Sequence, residues 1–289
     1  MWFHIPSSEN ERESRSRTVE KRRVCWEIRT KAYGVLHNFA GKTSFLTGCA
    51  AGNTIEEAIV QGFLELVERD AYAIWWYNRL QRAEVDLDHF NDSYVRDLRS
   101  QLGETGRRLW VLDATSDLGI PTYVAILHWM QNGQENIEFG SGAHFDPRIA
   151  MLRTLTELNQ FLSIGLMGGG TGEKSSLDGI TPLHLEQYPF LIPNRREPPG
   201  SGLSAVPLDN TRKQVDACVD IARRAGLDFL VLDQTRPDVE VPVVRVVAPG
   251  LRHFYRRFAP GRLYDVPVKL GWLDRPRTED ELTQFLPHT

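Results

Sequence analysis

The sequence predicts a mixed α/β fold with largely antiparallel sheets, packed helices and a duplicated helix–strand–strand unit. Two observations lead to this prediction. A long apolar pattern indicates a helix from Thr54 to at least Asn78, and one helix–strand–strand segment occurs twice in the chain. Strands joined by short connections pair antiparallel, whereas parallel neighbours need a long crossover.

The N-terminal region is the hardest part of the chain to assign. Residues 1–46 match no clear element, and residues 7–24 mix Arg, Glu and Ser with few apolar side chains. Such a composition predicts a partly disordered segment, because too little apolar surface is present to offset the entropy of ordering. We therefore expect the compact domain to cover residues 47–289.

A loop of small residues, Gly48 to Thr54, immediately precedes the long helix. At about 100° per residue, Glu57, Gln61, Glu65 and Glu68 form one narrow acidic stripe on this helix. The stripe contains no lysine and is flanked by apolar side chains, so its charge calls for a cation. A divalent ion bound with a nucleotide phosphate at the helix N-terminus would supply that cation.

Purely structural explanations of these glutamates stay open. Glu57 follows Thr54 by three residues, which is the spacing of a capping box. Glu68 can pair with Arg69 or with Arg82. The aromatic end of the helix, Ile74 to Tyr77, is interpreted as a core anchor.

The repeated segment predicts two pairs of adjacent strands, one pair in each copy. Each copy has an apolar strand, an Asp-x-Thr turn and a β-branched strand that starts after proline. Asp and Thr side chains bond turn backbone readily, so we interpret them as structural. The copies run from Leu109 to Leu127 and from Phe229 to Val247.

Between the copies, Asp146 and Pro147 mark the start of another helix. Arg153 and Glu157 share a face of it, either as an ion pair or as part of a polar site. The glycine-rich stretch 167–174 lacks P-loop spacing and is predicted to be a flexible linker. Residues 175–208, rich in Pro and Gly, are expected to be irregular.

Arginines are concentrated around the end of the second copy. Arg245 interrupts an apolar strand, so it either contacts a phosphate or pairs with a buried acid such as Asp233. The arginines of residues 248–267 either face phosphates or lie on a solvated surface.

Composition excludes several classes of function. A chain of 289 residues with 41% hydrophobic and 25% charged residues is an ordinary globular protein. Its formal charge of -4 gives no reason to expect nucleic acid or a membrane as a partner. Three scattered cysteines form neither a disulfide framework nor a zinc site, and no signal peptide is visible, so we expect a cytoplasmic location.

These motifs resemble the YcaO family, most closely the cyclodehydratases that build thiazole and oxazole precursors in ribosomally made peptides. The resemblance extends from about Thr47 to the C-terminus and rests on long motifs. They are Gly48-Cys49-Ala50-Ala51-Gly52-Asn53-Thr54, Gln61-Gly62-Phe63-Leu64-Glu65-Leu66-Val67-Glu68-Arg69-Asp70, Gly142-Ala143-His144-Phe145-Asp146-Pro147, Leu155-Thr156-Glu157-Leu158-Asn159-Gln160 and Arg245-Val246-Val247-Ala248-Pro249-Gly250.

The resemblance implies ATP and magnesium as cofactors. In such enzymes a Cys, Ser or Thr side chain of the peptide attacks the preceding carbonyl, and the amide oxygen is then phosphorylated. No residue is assigned as the catalytic group. The residues that match the family's ATP-binding positions are Asn53, Glu57, Glu65, Glu68, Arg69 and Arg245, and those that match its metal ligands are Glu57, Glu65 and Glu68.

The chain also departs from the family pattern. Family members carry a second glutamate-bearing helix upstream, and nothing in residues 1–46 matches it. We therefore expect a partial YcaO domain with half of the nucleotide site, completed by an upstream half or a homodimer. Its expected partners are a precursor peptide and a leader-recognition protein. The alternative is a non-catalytic subunit or remnant that binds peptide or partner without turnover.

Overall fold

The computed structural model describes residues 2–4, 47–167, 183–200, 206 and 209–285. Two compact units divide the chain. The first consists of Met1–Leu66 and Asp209–Pro249, and the second consists of Val67–Leu208 and Gly250–Thr289. Helix α1, Ile55–Tyr77, contributes its first half to one unit and its second half to the other.

The first unit is built on a four-stranded antiparallel sheet in the order β1-β8-β9-β2. Strand β1 was not predicted, because its three residues are too short to show a pattern. Helix α4 belongs to this unit as well. The elements are β1 Trp2–His4, β2 Cys49–Ala51, α4 Thr211–Arg224, β8 Leu230–Asp233 and β9 Val243–Val247.

The second unit is built on a five-stranded sheet in the order β6-β5-β4-β3-β7, in which only β3 and β7 pair in parallel. Three helices accompany it. The elements are β3 Glu84–Val85, α2 Ser93–Glu104, β4 Arg108–Asp113, β5 Thr122–Gln131, β6 Gln134–Ala143, α3 Pro147–Met167, β7 Arg196–Glu197 and α5 Arg262–Lys269.

The predicted α/β class and the duplicated unit are confirmed. The copies are α2-β4-β5 and α4-β8-β9. In each copy the Asp carboxylate accepts from the Thr backbone N–H at 2.9 Å, at Asp113–Thr115 and at Asp233–Thr235. Each Thr hydroxyl then accepts from the first residue of the next strand, at 3.1 Å from Thr122 and 3.2 Å from Val243. These turn residues are therefore structural, as predicted.

The aromatic end of α1 is a core anchor, as predicted. Trp75, Trp76 and Tyr77 are almost fully buried. Trp76 meets Phe139 of β6 and Phe190 edge-on, with ring centroids 5.8 Å apart in both pairs. Such pairs add about 1 kcal/mol each beyond the area that they bury, so the second unit is organised around this end of the helix.

Some predictions fall partly or wholly outside the described residues. The linker predicted at 167–174 lies outside them after Met167, as does the tail predicted at 7–24. Of residues 175–208, the described part holds a 3-10 turn at Pro189–Leu191 and the short strand β7. Among the helices that the structure describes, none is long and apolar enough to cross a membrane.

Two of the C-terminal arginines have structural roles. The Arg262 guanidinium bonds Asp70, which is fully buried, at 2.6 Å and Asp117 at 2.7 Å. Arg252 donates its backbone N–H to Asp70 at 2.8 Å. Burial opposes the charge on Arg262, yet the two carboxylates raise its pKa above the ordinary value. This ion-pair network fixes α5 to α1 within the second unit.

We predict that Arg262→Met destabilises the protein by about 3–5 kcal/mol, because the substitution leaves the Asp70 carboxylate buried without its partner. The measurement is urea unfolding followed by circular dichroism. Lys269→Met is the control, since Lys269 also bonds Asp117 but its side chain is 63% exposed. The control should lose about 1 kcal/mol or less. Equal losses in both variants would contradict the prediction.

Candidate functional site

The acidic stripe of α1 is present as predicted. Glu57, Gln61, Glu65 and Glu68 are all partly exposed, whereas Phe63 and its apolar neighbours on the other side of the helix are buried. Glu57 and Glu65 belong to the first unit, and Glu68 belongs to the second.

Glu57 caps the start of its own helix. Its Oε2 accepts from the backbone N–H of Asn53 at 2.8 Å and from the Asn53 side-chain amide at 2.9 Å. Thr54 Oγ1 accepts from the Glu57 N–H at 3.1 Å. Thr54 therefore caps as predicted, but the carboxylate bonds Asn53 rather than closing the capping box at Thr54. Asn53 and Glu57 are fixed to each other by these bonds.

Close backbone packing holds Glu65. Its Oε2 accepts from the N–H of Gly48 at 2.9 Å. A Cβ on Gly62 would lie 2.7 Å from the Gly48 carbonyl oxygen, and one on Gly48 would lie 2.3 Å from the Val246 carbonyl oxygen. Because neither contact tolerates a side chain, α1, the loop before β2 and strand β9 keep one relative position. Glu65 is placed by that packing.

Arg245 lies on β9 directly opposite Cys49 of β2. Its Nε is buried and has no hydrogen-bond partner within the described residues. Asp233 was the acid predicted as a possible partner of Arg245. Its carboxylate accepts the backbone N–H of Thr235 in the turn after β8. A buried guanidinium nitrogen without an acceptor is costly, and an anionic oxygen would satisfy it.

Arg245 and Glu65 both act on the charge state of the Cys49 thiol. Burial raises the pKa of Cys49, Arg245 lowers it and Glu65 raises it, and the net shift is upward. The first-unit cluster, which we define as Glu65, Arg245 and Cys49, thus contains one carboxylate and one guanidinium, and Asn53 and Glu57 lie at the start of the same helix as Glu65. This mixture suits a phosphate together with its cation.

A second cluster lies within the other unit and consists of Glu68, Arg69, Ser141 and Glu157. The Ser141 hydroxyl lies 2.7 Å from Glu68 Oε1 and 3.0 Å from Glu157 Oε2. The backbone N–H of Ser141 also donates to Glu157. Arg69 lies 3.5 Å from Glu68 and 3.8 Å from Glu157. We call these four residues the second-unit cluster.

Two glycines of β6 bring Glu157 to this cluster. A Cβ on Gly140 would lie 2.5 Å from the Leu158 nitrogen, and one on Gly142 would lie 2.6 Å from the Thr154 nitrogen. Helix α3 therefore packs with its backbone against the strand. Glu157 is a member of a polar cluster, because it contacts Ser141 and Arg69.

Aromatic side chains cover Arg69 within the second unit. Its guanidinium lies 4.9 Å from the centre of the Phe254 ring. Burial, and then the charge of Arg69, lower the pKa of His253 to about 4. His253 is therefore neutral at pH 7, and it adds no second positive charge beside Arg69.

The described residues contain no group of three His, Cys, Asp or Glu side chains that could hold a metal ion. Mg²⁺ commonly takes only one or two protein carboxylates and completes its shell with phosphate and water oxygens. The carboxylates of the stripe fit that mode of binding. They do not fit a metal site made of protein ligands alone.

The sequence prediction named most of these residues. Asn53, Glu57, Glu65 and Arg245 lie in the first unit, and Glu68 and Arg69 lie in the second. Ser141 was missed as a member of the site, because one serine in a strand carries no periodic signal. The glycines on either side of it were the available sign of a close helix contact.

Comparison with known proteins identifies the family. A family model described as YcaO cyclodehydratase, binding ATP and Mg²⁺, matches residues 29–252, so the match begins upstream of residue 47. A heterocyclase solved in complex with substrate and cofactor is 46% identical, with a TM-score of 0.77 over 85% of this chain and 33% of its own. The heterocyclase TruD is 44% identical, with a TM-score of 0.74 over 87% of this chain and 35% of its own.

A more distantly similar structure contains a bound nucleotide. YcaO from Methanopyrus kandleri, solved with AMPPCP and Mg²⁺, is 27% identical, with a TM-score of 0.57 over 75% of this chain and 59% of its own. This chain spans about half the length of the curated relatives that it matches, and about a third of the two heterocyclases.

We predict that Gly142→Ala destabilises the protein by about 1–3 kcal/mol, because its Cβ would collide with the backbone of α3. The control is Gly103→Ala within α2, where no atom lies within 4 Å of the new Cβ. That variant should be more stable by up to about 1 kcal/mol. Urea unfolding measures both changes, and a neutral Gly142→Ala would contradict the packing described.

We also predict that Cys49 reacts slowly with iodoacetamide at pH 7, because its raised pKa leaves little thiolate. Arg245→Gln should slow the reaction further, and Glu65→Gln should accelerate it. Peptide mapping by mass spectrometry measures the rate at Cys49 alone. Rates unchanged by both substitutions would show that neither charge acts on the thiol.

Proposed function

The chain belongs to the YcaO family, and we propose that it serves in ATP- and Mg²⁺-dependent azoline formation on a ribosomally made peptide. The reaction closes a Cys, Ser or Thr side chain onto the preceding amide carbon and removes the amide oxygen as phosphate. The buried, unpartnered Nε of Arg245 beside a helix that carries half-buried carboxylates is the observation that supports this most.

We propose that six side chains bind the nucleotide and its metal. Mg·ATP, when bound, supplies the phosphoryl group that turns the amide oxygen into a leaving group. The metal ligands would be the carboxylates of the stripe, and the phosphate oxygens would accept from guanidinium groups and from the N-terminal N–H groups of α1. The six are Asn53, Glu57, Glu65, Glu68, Arg69 and Arg245.

The individual roles follow from the geometry of each side chain. Arg245 offers a nitrogen that has no acceptor in the described residues, so a phosphate oxygen costs it no existing bond. Glu65 is held by Gly48, and Glu57 is held by Asn53, so both carboxylates are oriented before a metal arrives. Preoriented charge is effective because little reorganisation remains to be done during the reaction.

The proposed partners follow from the family. A precursor peptide is the substrate, and a leader-recognition protein presents it. One solved heterocyclase that this chain resembles was captured with substrate and cofactor. The alternative is a chain that binds peptide or partner without turnover. It predicts peptide affinity that ATP does not alter and that Glu65→Gln does not reduce.

The test is a calorimetric titration of the folded chain with Mg·ATP, followed by turnover with a cysteine-rich precursor peptide. We expect saturable binding that Glu65→Gln and Arg245→Gln each weaken by roughly tenfold or more, about 1.4 kcal/mol. Turnover is detected as phosphate release and as a loss of 18 Da from the peptide, the mass of one water.

Gln61→Glu and Glu56→Gln serve as the controls on α1. Glu56 contacts Arg212 at 3.7 Å and lies outside the stripe, so its loss should leave the affinity unchanged. Adding a carboxylate at position 61 should not abolish metal binding. Nucleotide binding without any turnover, with the peptide and leader-recognition protein present, would favour the alternative. No binding by the folded chain alone would mean that the nucleotide site needs the upstream half, and no binding after that half is supplied would refute the proposal.

A further inference from the structure

The Tyr72 hydroxyl is buried without a hydrogen bond. Tyr72 is completely buried in the second unit, and its side-chain oxygen has no partner among the described residues. Two tryptophans of the same helix hold its ring, Trp75 edge-on at 5.2 Å and Trp76 stacked at 6.4 Å between ring centroids. A buried hydroxyl without a partner destabilises a fold, so its presence at this place calls for an explanation.

The helix directs this hydroxyl toward the second-unit cluster. Tyr72 lies between Glu68 and Arg69 around the axis of α1, about 40° from the first and about 60° from the second. Helical side chains lean toward the N-terminal end of their helix, which here is the turn that carries Glu68 and Arg69. Burial raises the pKa of Tyr72 well above its ordinary value, and Glu157 is the charged group that raises it most. The hydroxyl therefore keeps its proton at pH 7 and faces the field of Glu157.

Glu157 has one oxygen that accepts a hydrogen bond and one that does not. Its Oε2 accepts the backbone N–H of Ser141 and lies 3.0 Å from the Ser141 hydroxyl. Its Oε1 lies 3.8 Å from the Arg69 guanidinium, which is too long for a hydrogen bond. Within the described residues, the cluster thus holds a buried donor at Tyr72 and an acceptor at Glu157 that are not joined.

Arg69 cannot leave the cluster without a consequence for Glu157. The guanidinium lies 3.5 Å from Glu68, but the charge of Arg153 also acts on Glu68, so that carboxylate keeps a cation nearby if Arg69 moves. Among the described residues, Arg69 is the only cation within 4 Å of Glu157. A half-buried carboxylate that loses its cation is destabilised unless another donor takes over.

We propose that Tyr72 is a positioning residue whose hydroxyl donates to Glu157 Oε1 when Arg69 turns to a nucleotide phosphate, and so replaces the contact that Arg69 gives up. This inference rests on the proposed function, because it takes Arg69 as a phosphate ligand. Tyr72 itself contacts neither the nucleotide nor the metal. A hydroxyl that is unsatisfied before binding and satisfied afterwards shifts the equilibrium toward the bound arrangement.

The test compares Tyr72→Phe with the wild-type protein in two measurements, with the upstream half added to both if nucleotide binding needs it. Calorimetric titration with Mg²⁺ and AMPPCP, a nucleotide that is not hydrolysed, should show affinity weakened roughly tenfold, as expected for one hydrogen bond to a charged group. Thermal unfolding without nucleotide should show a midpoint raised by roughly 2–4 °C, because an unsatisfied buried hydroxyl is removed. A residue that only stabilises the fold does not shift the two in these opposite senses.

Tyr264→Phe is the matched control. Tyr264 lies on α5 in the same unit, and its hydroxyl donates to the carbonyl of Phe258 at 3.1 Å. Its substitution removes a hydrogen bond that is already made. We expect it to lower the unfolding temperature and to leave the affinity for Mg²⁺–AMPPCP unchanged.

A double variant tests whether Tyr72 acts through Arg69. Arg69→Gln removes the group that Tyr72 is proposed to replace at Glu157. Adding Tyr72→Phe to Arg69→Gln should therefore change the affinity by less than about twofold, since the two substitutions act on one event. A further tenfold loss in the double variant would show that Tyr72 acts independently, and would overturn the proposal.

The remaining outcomes are distinct. Weaker binding together with a higher unfolding temperature in Tyr72→Phe supports the proposal. Wild-type affinity in Tyr72→Phe, while Glu65→Gln still loses binding, overturns it and leaves the proposed function standing. A Tyr72→Phe protein that is less stable or does not fold also overturns it, because the hydroxyl is then needed before nucleotide binds. Wild-type protein that binds no nucleotide even with the upstream half refutes the proposed function, and this inference falls with it.

Discussion

Close approach of backbones at glycine positions places the side chains on which both clusters depend. In the first unit, Gly48 and Gly62 let α1 and strand β9 meet the loop before β2, and the Gly48 N–H is thereby offered to Glu65. In the second unit, Gly140 and Gly142 let α3 lie on β6. Side chains at these positions would overlap backbone atoms of the neighbouring element, so the elements would have to move apart. The backbone contacts that place these carboxylates thus contain no charged group.

The carboxylates are held mainly by N–H and O–H donors rather than by cationic side chains. Glu57 accepts from Asn53, Glu65 from Gly48, and Glu157 from Ser141. A neutral donor fixes the orientation of a carboxylate without cancelling its charge, whereas a full ion pair would do both. Asp70, in contrast, is buried and fully paired with Arg262. That ion pair stabilises the fold and is not a candidate site.

The sequence could predict what periodicity and capping determine. The presence of α1, the duplicated helix–strand–strand unit and the acidic stripe all follow from spacing, and the structure confirms them. Helix α1 runs from Ile55 to Tyr77, so it is one residue shorter at each end than the predicted Thr54 to Asn78. The two-residue turn Asn132-Gly133 between β5 and β6, with φ of 52° and 76°, carried a strong hairpin signal that the sequence analysis did not use. Strand β1 and the role of Ser141 could not be predicted, because both depend on contacts with elements distant in sequence.

The two copies of the repeat provide an internal test of what the fold itself requires. Thr122 and Val243 occupy equivalent places, since each donates its N–H to the turn threonine of its own copy. Two residues further along, Val124 pairs with Leu112 in one copy, and Arg245 pairs with Leu232 in the other. Val124 is completely buried, so the strand pair folds well with an apolar residue at that place. The arginine in the second copy is therefore not demanded by the architecture, and its buried Nε finds no acceptor among the described residues. A costly residue at a position where the same fold accepts valine supports the proposal that Arg245 binds a ligand.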